Sequence, residues 1–349
     1  MRIGFDADAI NERGMSVALF DYATGVQEHL GHEAVVFYSP ARSNAAVVEK
    51  FSSGLRMVPF EDRGVLQKLS EPYDLDFFYT IGNGKRHPLL IAAKRIGVHA
   101  VFRHFEPHGS VYAYVSDWLA DWMTGSLAPA VPHIVTLPTP EGDMREELAI
   151  PKDAFVAGRY GGFDQFNVPM AQMAVARALE ARSDLYCVFV NTERFIDHPR
   201  ALFLPSVITL AEKARFIATC DVGLNAKKTG ESFGLAIAEF LLLGKPVFSW
   251  AGGIDQNHVH MSPKKEWCYK TGSDLFRLLT TYHPDSADQE LARSSVLKYA
   301  PNEVMRRFDD VFLSERYSAD SLHLSRGFKV KRKLQQKFLR AKFRIWKTV

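Results

Sequence analysis

Two carboxylates stand eight residues apart in this chain, Glu231 in Gly230-Glu231-Ser232-Phe233-Gly234-Leu235 and Glu239 in Ala236-Ile-Ala-Glu239-Phe240. The apolar run Phe240–Leu243 and the closing Gly244 predict a helix that packs into a core and ends there. At about 1.5 Å per helical residue the carboxylates would lie roughly 12 Å apart along the axis. That spacing suits the two ends of one elongated ligand better than a shared proton. Taken without its surroundings, Glu231 reads equally as a helix-start carboxylate and Glu239 as an exposed helical one.

The elements that must position these groups alternate in type. Ile3–Asp6 and Ala34–Ser39 read as strands, with an amphipathic helix over Ser16–Leu30 between them. Further strands are predicted at Leu55–Phe60, Asp76–Thr80, His99–His104 and Val111–Val115, and helices at Pro88–Ile96 and Asp117–Met123. After a proline-punctuated linker near 135–152 a second series follows. Its strands are Phe155–Gly158, Leu185–Val190, Ala201–Leu204, Asp221–Asn225 and Val247–Trp250, and its helices Val168–Arg182 and Leu210–Thr219. From about Asp274 the pattern is helical. Such alternation predicts an α/β protein with parallel sheets wrapped by helices, as two tandem Rossmann-like domains with a ligand cleft between them. We set the domains at 1–138 and 139–300, with a helical segment at 301–349.

The length of 349 residues and 47% hydrophobic content suit two domains with sizeable cores. No run of eighteen apolar residues points to a membrane span, and the amino terminus reads as a strand rather than a signal peptide. Cys187, Cys220 and Cys268 have no metal-ligand spacing, so a reducing, cytoplasmic setting is expected. The net charge of +3 conceals an asymmetry: residues 326–349 carry ten Lys/Arg and no acid, leaving the rest at −7. A general nucleic-acid surface is therefore not expected.

Residues Gly230–Glu239, with Gly158-Arg159-Tyr160-Gly161-Gly162 and Gly252-Gly253, resemble the donor-binding domain of retaining, nucleotide-sugar-dependent glycosyltransferases of the GT-B fold, the family marked by Glu-x7-Glu. The match spans roughly Val131 to His260 and is looser in the first half. The resemblance implies that Glu231 contacts donor-sugar hydroxyls and that Glu239 holds the nucleotide ribose. Ser232, Phe233, Gly234 and Leu235 would offer backbone N–H groups to phosphate at a helix start. Arg159, at a sheet's carboxyl edge, would neutralise the departing diphosphate. The family usually carries a lysine five or six residues further on, where this chain has Asp164 and Gln165. Lys227 or Lys228 would supply that charge, unless they simply line a solvated loop. In the first half Gly14 would let backbone amides approach the phosphates, and His104, with His108 as the alternative, would reach the sugar.

No metal site is expected: Asp6-Ala7-Asp8 reads as a strand end, and there is no dinucleotide, Walker or nucleophile-elbow motif. No cofactor is implied beyond a nucleoside-diphosphate sugar as co-substrate. The acceptor would be a glycan, a lipid or a protein-linked group. The tail spaces Leu334, Phe338, Ala341 and Ile345 helically among cations, with Trp346 beyond. This predicts a peripheral contact with an anionic membrane, or a helix packed on the body. A sugar-nucleotide epimerase and a non-catalytic nucleotide-sugar-binding relative are the alternatives to a transferase.

Overall fold

The computed structural model describes residues 1–11, 14–207 and 209–330, with Arg332, Leu334, Gln335 and Lys337. They form two compact units, one of residues 1–134 together with those from 301 onward, the other of residues 135–300. Phe338, Ala341, Ile345 and Trp346 of the tail lie outside the described residues.

The first unit runs β1 (Arg2–Ala7), α1 (Gly14–Glu28), β2 (Glu33–Tyr38), α2 (Ala45–Ser52), β3 (Arg56–Pro59), α3 (Leu66–Ser70), β4 (Leu75–Gly82), β5 (Ala93–Ala100), β6 (Val111–Tyr114) and α4 (Asp117–Thr124). The second begins with β7 (Phe155–Tyr160), α5 (Pro169–Ala181), β8 (Leu185–Val190), β9 (Ala201–Leu204), α6 (Leu210–Thr219) and β10 (Val222–Asn225). It continues with β11 (Gly230–Glu231), α7 (Leu235–Leu242), β12 (Val247–Trp250), β13 (Asp255–Gln256), α8 (Asn257–Met261), β14 (Cys268–Tyr269), α9 (Gly272–Thr281) and α10 (Ser286–Val296). Helix α11 (Pro301–Phe308) is again part of the first unit.

Each unit holds one six-stranded sheet with the same order of strands, β3-β2-β1-β4-β5-β6 and β9-β8-β7-β10-β12-β14. Every pair is parallel. The strands are continuous apolar runs, such as Val35–Phe37 and Val188–Val190, because helices cover both faces of a parallel sheet. The order reverses beside β1 and β4, and beside β7 and β10. Ligands of doubly wound sheets bind outside the carboxyl ends of the strands at such switch points.

The core of the first unit is not wholly apolar. His99 of β5 is fully buried, with Nδ1 2.6 Å from the Tyr79 hydroxyl. The Tyr22 hydroxyl donates to the Pro132 carbonyl at 2.8 Å and lies 3.3 Å from His133 Nδ1. Phe308 and Phe312 pack on Tyr79, which is how the segment after 301 closes this core. Burial pushes the His99 pKa down to about 4 and that of His133 to about 3.

Three sequence expectations need correction. Residues 88–92 form no helix, and Ala93 to Ile96 begin β5. The apolar run there packs in extended form, with Ile91, Ala93 and Ile96 against the cluster of Val35, Phe37 and Phe78, while β5 pairs with β4 from Leu75↔Ala93. Strand β5 accordingly ends at Ala100, so His104 lies in the following loop. The last part is not continuously helical, since residues 314–325 are irregular apart from the turn at Ala319–Ser321.

Candidate functional site

The residues around Glu231 are built on close backbone approach. Strand β11 pairs in parallel with β13, Gly230 opposite Asp255 and Glu231 opposite Gln256. Gly230 has φ +76°, and a Cβ there would stand 1.9 Å from the Asp255 carbonyl oxygen. On the other side a Cβ at Gly253 would stand 2.5 Å from the Gly230 nitrogen. Only glycine fits at either place, which gives the Gly252-Gly253 pair of the sequence a steric reason.

Glu231 therefore belongs to a strand and Glu239 to the middle of α7, which begins only at Leu235. The helical-axis separation of the two carboxylates does not apply. Between them Gly234 adopts φ +97° as the residue before the helix and, having no side chain, cannot itself cap the first turn. A helix start of this kind is where first-turn N–H groups can serve an anion.

Around this turn α8 acts as a clamp that the sequence reading missed. Asn257 Nδ2 donates to the Phe233 carbonyl at 2.8 Å. The buried His258 ring lies 2.8 Å from the Trp250 carbonyl through Nε2, and its Nδ1 accepts the Glu231 N–H at 3.3 Å. Phe233 is buried with its ring edge-on to Tyr299 at 5.1 Å. The available signal was the Asn-His pair following a glycine pair and a strand, a pattern too general to single out.

One cation meets the same turn. Lys227 Nζ pairs with Glu231 Oε2 at 2.8 Å, both side chains half-buried. Lys228 instead has its backbone N–H bound by Asn167 Oδ1 at 2.8 Å, and the Asn167 N–H donates to the Ala226 carbonyl at 3.0 Å. These bonds fasten the 226–228 loop to the loop after β7.

Arg159, near the end of β7, is 5% exposed. Its guanidinium donates to the Asn191 carbonyl at 3.1 Å, to Thr192 Oγ1 at 2.5 Å and to the Gly162 carbonyl at 2.7 Å. Three of its five N–H donors are thereby used, and the other two have no partner among the described residues. Burial lowers its pKa to about 10, opposed by the nearby charges of Glu231 and Asp164. It stays protonated at neutral pH. Arg159, Glu231 and Asp164 thus share one electrostatic neighbourhood at the β7–β10 switch point. Two buried polar atoms at this sheet edge, the Tyr160 hydroxyl and Asn225 Oδ1, have no hydrogen-bond partner among the described residues.

Glu239 is 3% exposed rather than solvent-facing, and its Oε1 accepts from Lys213 at 2.9 Å. The same ammonium lies 5.3 Å over the Tyr160 ring, which stacks on Phe240. A carboxylate so buried needs such a partner.

In the first unit Gly14 opens α1, and a Cβ there would meet nothing within 4 Å. It is the first residue of the helix rather than part of the loop before it, and among the described residues no close approach demands a glycine. The His104 carbonyl accepts from the Tyr114 hydroxyl at 2.5 Å, and its half-buried ring has its pKa lowered by burial and by Lys85. His108 is buried, with Nδ1 2.8 Å from the Glu106 carbonyl. Among the described residues no group of three or more His, Cys, Asp or Glu is arranged to hold a metal ion, and no helix is long and apolar enough to cross a membrane.

No protein-family model and no curated protein sequence matches the chain. Solved structures do. HepE of Anabaena, in complex with UDP and glucose, matches with a TM-score of 0.67 at 15% identity over 90% of this chain and 100% of that one. A glycosyltransferase from Rickettsia africae gives 0.65 at 13% identity, over 89% and 97%. The N-terminal domain of a Candida albicans trehalose-6-phosphate phosphatase gives 0.64 at 11% identity, over 90% and 97%. With two parallel Rossmann-like units of matching strand order, the chain has the GT-B fold, in keeping with its likeness to these structures.

Proposed function

We propose that the chain is a glycosyltransferase that moves a sugar from a nucleoside-diphosphate sugar to a glycan, lipid or protein-linked acceptor, with retention at the anomeric carbon and without a metal ion. The observation that carries this reading is the rigid Glu231 turn. It sets one carboxylate beside Lys227 and within the field of Arg159, shortly before the start of α7.

Each part has a task. The diphosphate lies against the first-turn N–H groups of α7, with Arg159 and Lys227 balancing its charge. Glu231 accepts hydrogen bonds from donor-sugar hydroxyls, and Glu239 from the ribose. As the bond from the anomeric carbon to the phosphate oxygen breaks, negative charge grows on the diphosphate and the cations hold it. The acceptor oxygen bonds to the same face of the anomeric carbon, and its proton passes to the departing phosphate oxygen. Gly14 and His104 on the first unit serve the phosphate and the sugar. The tail cations from 326 onward anchor the protein at an anionic membrane on its cytoplasmic side.

HepE was crystallised with UDP-glucose, so UDP-sugars are the first donors to test. Release of UDP and product analysis, with and without acceptor, decide between readings. Acceptor-dependent UDP release that falls at least about a hundredfold in Glu231→Ala supports transfer. Full transfer by Glu231→Ala sinks the role of Glu231, and an altered nucleotide sugar formed without acceptor means an epimerase. One observation favours a second reading: Asp164 acts on Arg159 where the family has a lysine, as in a relative that binds nucleotide sugar without turning it over. Nucleotide binding with neither transfer nor hydrolysis identifies that case.

A further inference from the structure

We propose that the first unit binds an uncharged, hydroxyl-rich sugar at the cluster of Asp6, Asp8, Arg42 and Arg63; that this sugar is the acceptor rests on the transferase reading above.

The cluster lies at the carboxyl edge of the first sheet, at the switch point beside β1 and β4, where ligands of such sheets bind. Four segments meet there. Asp6 stands near the end of β1 with Asp8 just beyond it, and Arg42 ends the turn Pro40–Arg42 after β2. Arg63 opens the turn Arg63–Val65 after β3, and Thr80 belongs to β4. Arg63 grips Asp6 as a fork, Nη1 to Oδ1 at 3.1 Å and Nη2 to Oδ2 at 2.7 Å, and the Thr80 hydroxyl donates to the same Oδ2 at 3.1 Å. Asp6 is thereby satisfied and buried. Arg63 Nη1 also lies 3.2 Å from Asp8 Oδ1, and Arg42 pairs with Asp8 Oδ2. The loop that carries Asp8 is fixed in place. The Ile10 N–H donates to Ser43 Oγ at 2.9 Å, the Asn44 N–H to the Ile10 carbonyl at 2.8 Å and the Asn11 N–H to Ser16 Oγ at 3.1 Å.

Asp8 is the member with capacity left. Its Oδ1 is buried, and the ion pair with Arg63 lacks the alignment of a hydrogen bond, so no donor among the described residues satisfies it. An ionised carboxylate takes up to about four hydrogen bonds and is costly to leave short of them. The Asp8 side chain is nevertheless 32% exposed and that of Arg42 beside it 60%, so both are open to a ligand. A guanidinium N–H only donates and an ionised carboxylate only accepts. A hydroxyl does both, so adjacent hydroxyls of one sugar ring can give to Asp8 and accept from Arg42 or Arg63 at once. The charges of these two carboxylates and two guanidiniums cancel. The cluster therefore offers no net attraction to a phosphate or a carboxylate ligand, and Asp8 repels either one. A neutral polyol is the ligand whose chemistry fits.

The test is saturation-transfer NMR on the full chain in saturating UDP. The neutral probes are the methyl glycosides of glucose, galactose, mannose and N-acetylglucosamine, and the charged ones glucose 6-phosphate and glucuronate. The expected result is binding of at least one neutral sugar, more tightly than of either charged probe. That binding weakens at least about tenfold in Asp8→Ala and in Arg42→Gln, which leave the Asp6–Arg63 pair in place, while UDP affinity holds. A sugar held elsewhere in the molecule keeps its affinity in both variants, and that result overturns the site. No signal from any neutral sugar also overturns it, leaving the cluster a structural ion-pair network. An equal or stronger signal from a charged probe contradicts the ligand class, and a parallel loss of UDP affinity in the variants would assign the cluster to the donor instead. Failure of UDP itself to bind the unaltered chain sinks the donor reading separately, since the variants still report on the sugars.

Discussion

His258 holds the Glu231 turn to the end of β12: Nδ1 accepts the Glu231 N–H at 3.3 Å while Nε2 donates to the Trp250 carbonyl at 2.8 Å. A carbonyl only accepts, so the proton sits on Nε2 and the ring is neutral. Protonating it would set one N–H against another. Burial lowers its pKa accordingly.

Replacing this ring by an apolar one of similar size, His258→Phe, strands a buried N–H and a buried carbonyl. The expected cost is about 1–3 kcal/mol in urea denaturation, together with weaker binding of UDP-glucose because Glu231 is no longer fixed. A variant with unchanged stability and affinity would show the clamp to be incidental.

Gly230→Ala tests the close approach beneath the site. It combines a left-handed φ with a Cβ 1.9 Å from the Asp255 carbonyl oxygen. The expected loss is roughly 2–5 kcal/mol. Gly14→Ala, where a Cβ meets nothing within 4 Å, serves as the control and changes stability by less than about 1 kcal/mol. Equal losses at both positions would contradict the packing argument.

Asp164 and Gln165 replace a cation the resemblance leads one to expect, and Asp164 already acts on Arg159. Gln165→Lys should therefore strengthen UDP affinity, by about tenfold if the new ammonium reaches the diphosphate. Isothermal titration reads the change directly. Weaker binding would mean that Lys227 and Arg159 already satisfy the anion, or that no anion binds there.

Part of the acid sensitivity should come from the first unit. His99 and His133 have folded pKa values of about 4 and about 3, below the ordinary value of 6.5. As pH falls, the unfolded chain takes up their protons first. Their contribution is therefore complete above pH 6.5 and is lost progressively down to about 4 and about 3. Each histidine adds a slope of up to about 1.4 kcal/mol per pH unit in that window. Denaturation at pH 8, 6.5 and 5 should show this loss, and His99→Gln should reduce it. A flat profile between pH 6.5 and 5 would contradict the buried, neutral assignment.

Much of the fold was legible because parallel strands are apolar runs between amphipathic helices. Leu185–Val190, Ala201–Leu204 and Val247–Trp250 are strands as expected. Residues 88–96 misled because Leu89, Leu90 and Ile91 satisfy a helical spacing equally well, and only the pairing of β5 with β4 decides for extension. The site residues were visible as types and spacing, yet their roles in packing were not. Burial of Glu239 against Lys213 and the use of three Arg159 donors by Asn191, Thr192 and Gly162 are tertiary facts. So is the clamp of Asn257 and His258 on the Glu231 turn.

The central claim is that the Glu231 turn binds a nucleoside diphosphate, and a thermal-shift panel of nucleoside diphosphates and nucleotide sugars tests it most directly. A ligand binding only the native state stabilises it by RT ln(1 + [L]/Kd), about 2.7 kcal/mol at a hundredfold excess over Kd. The account predicts a concentration-dependent rise in Tm with UDP or another nucleoside diphosphate that is lost in Glu231→Ala/Lys227→Ala. No rise with any member of the panel, or an equal rise in that variant, would contradict it.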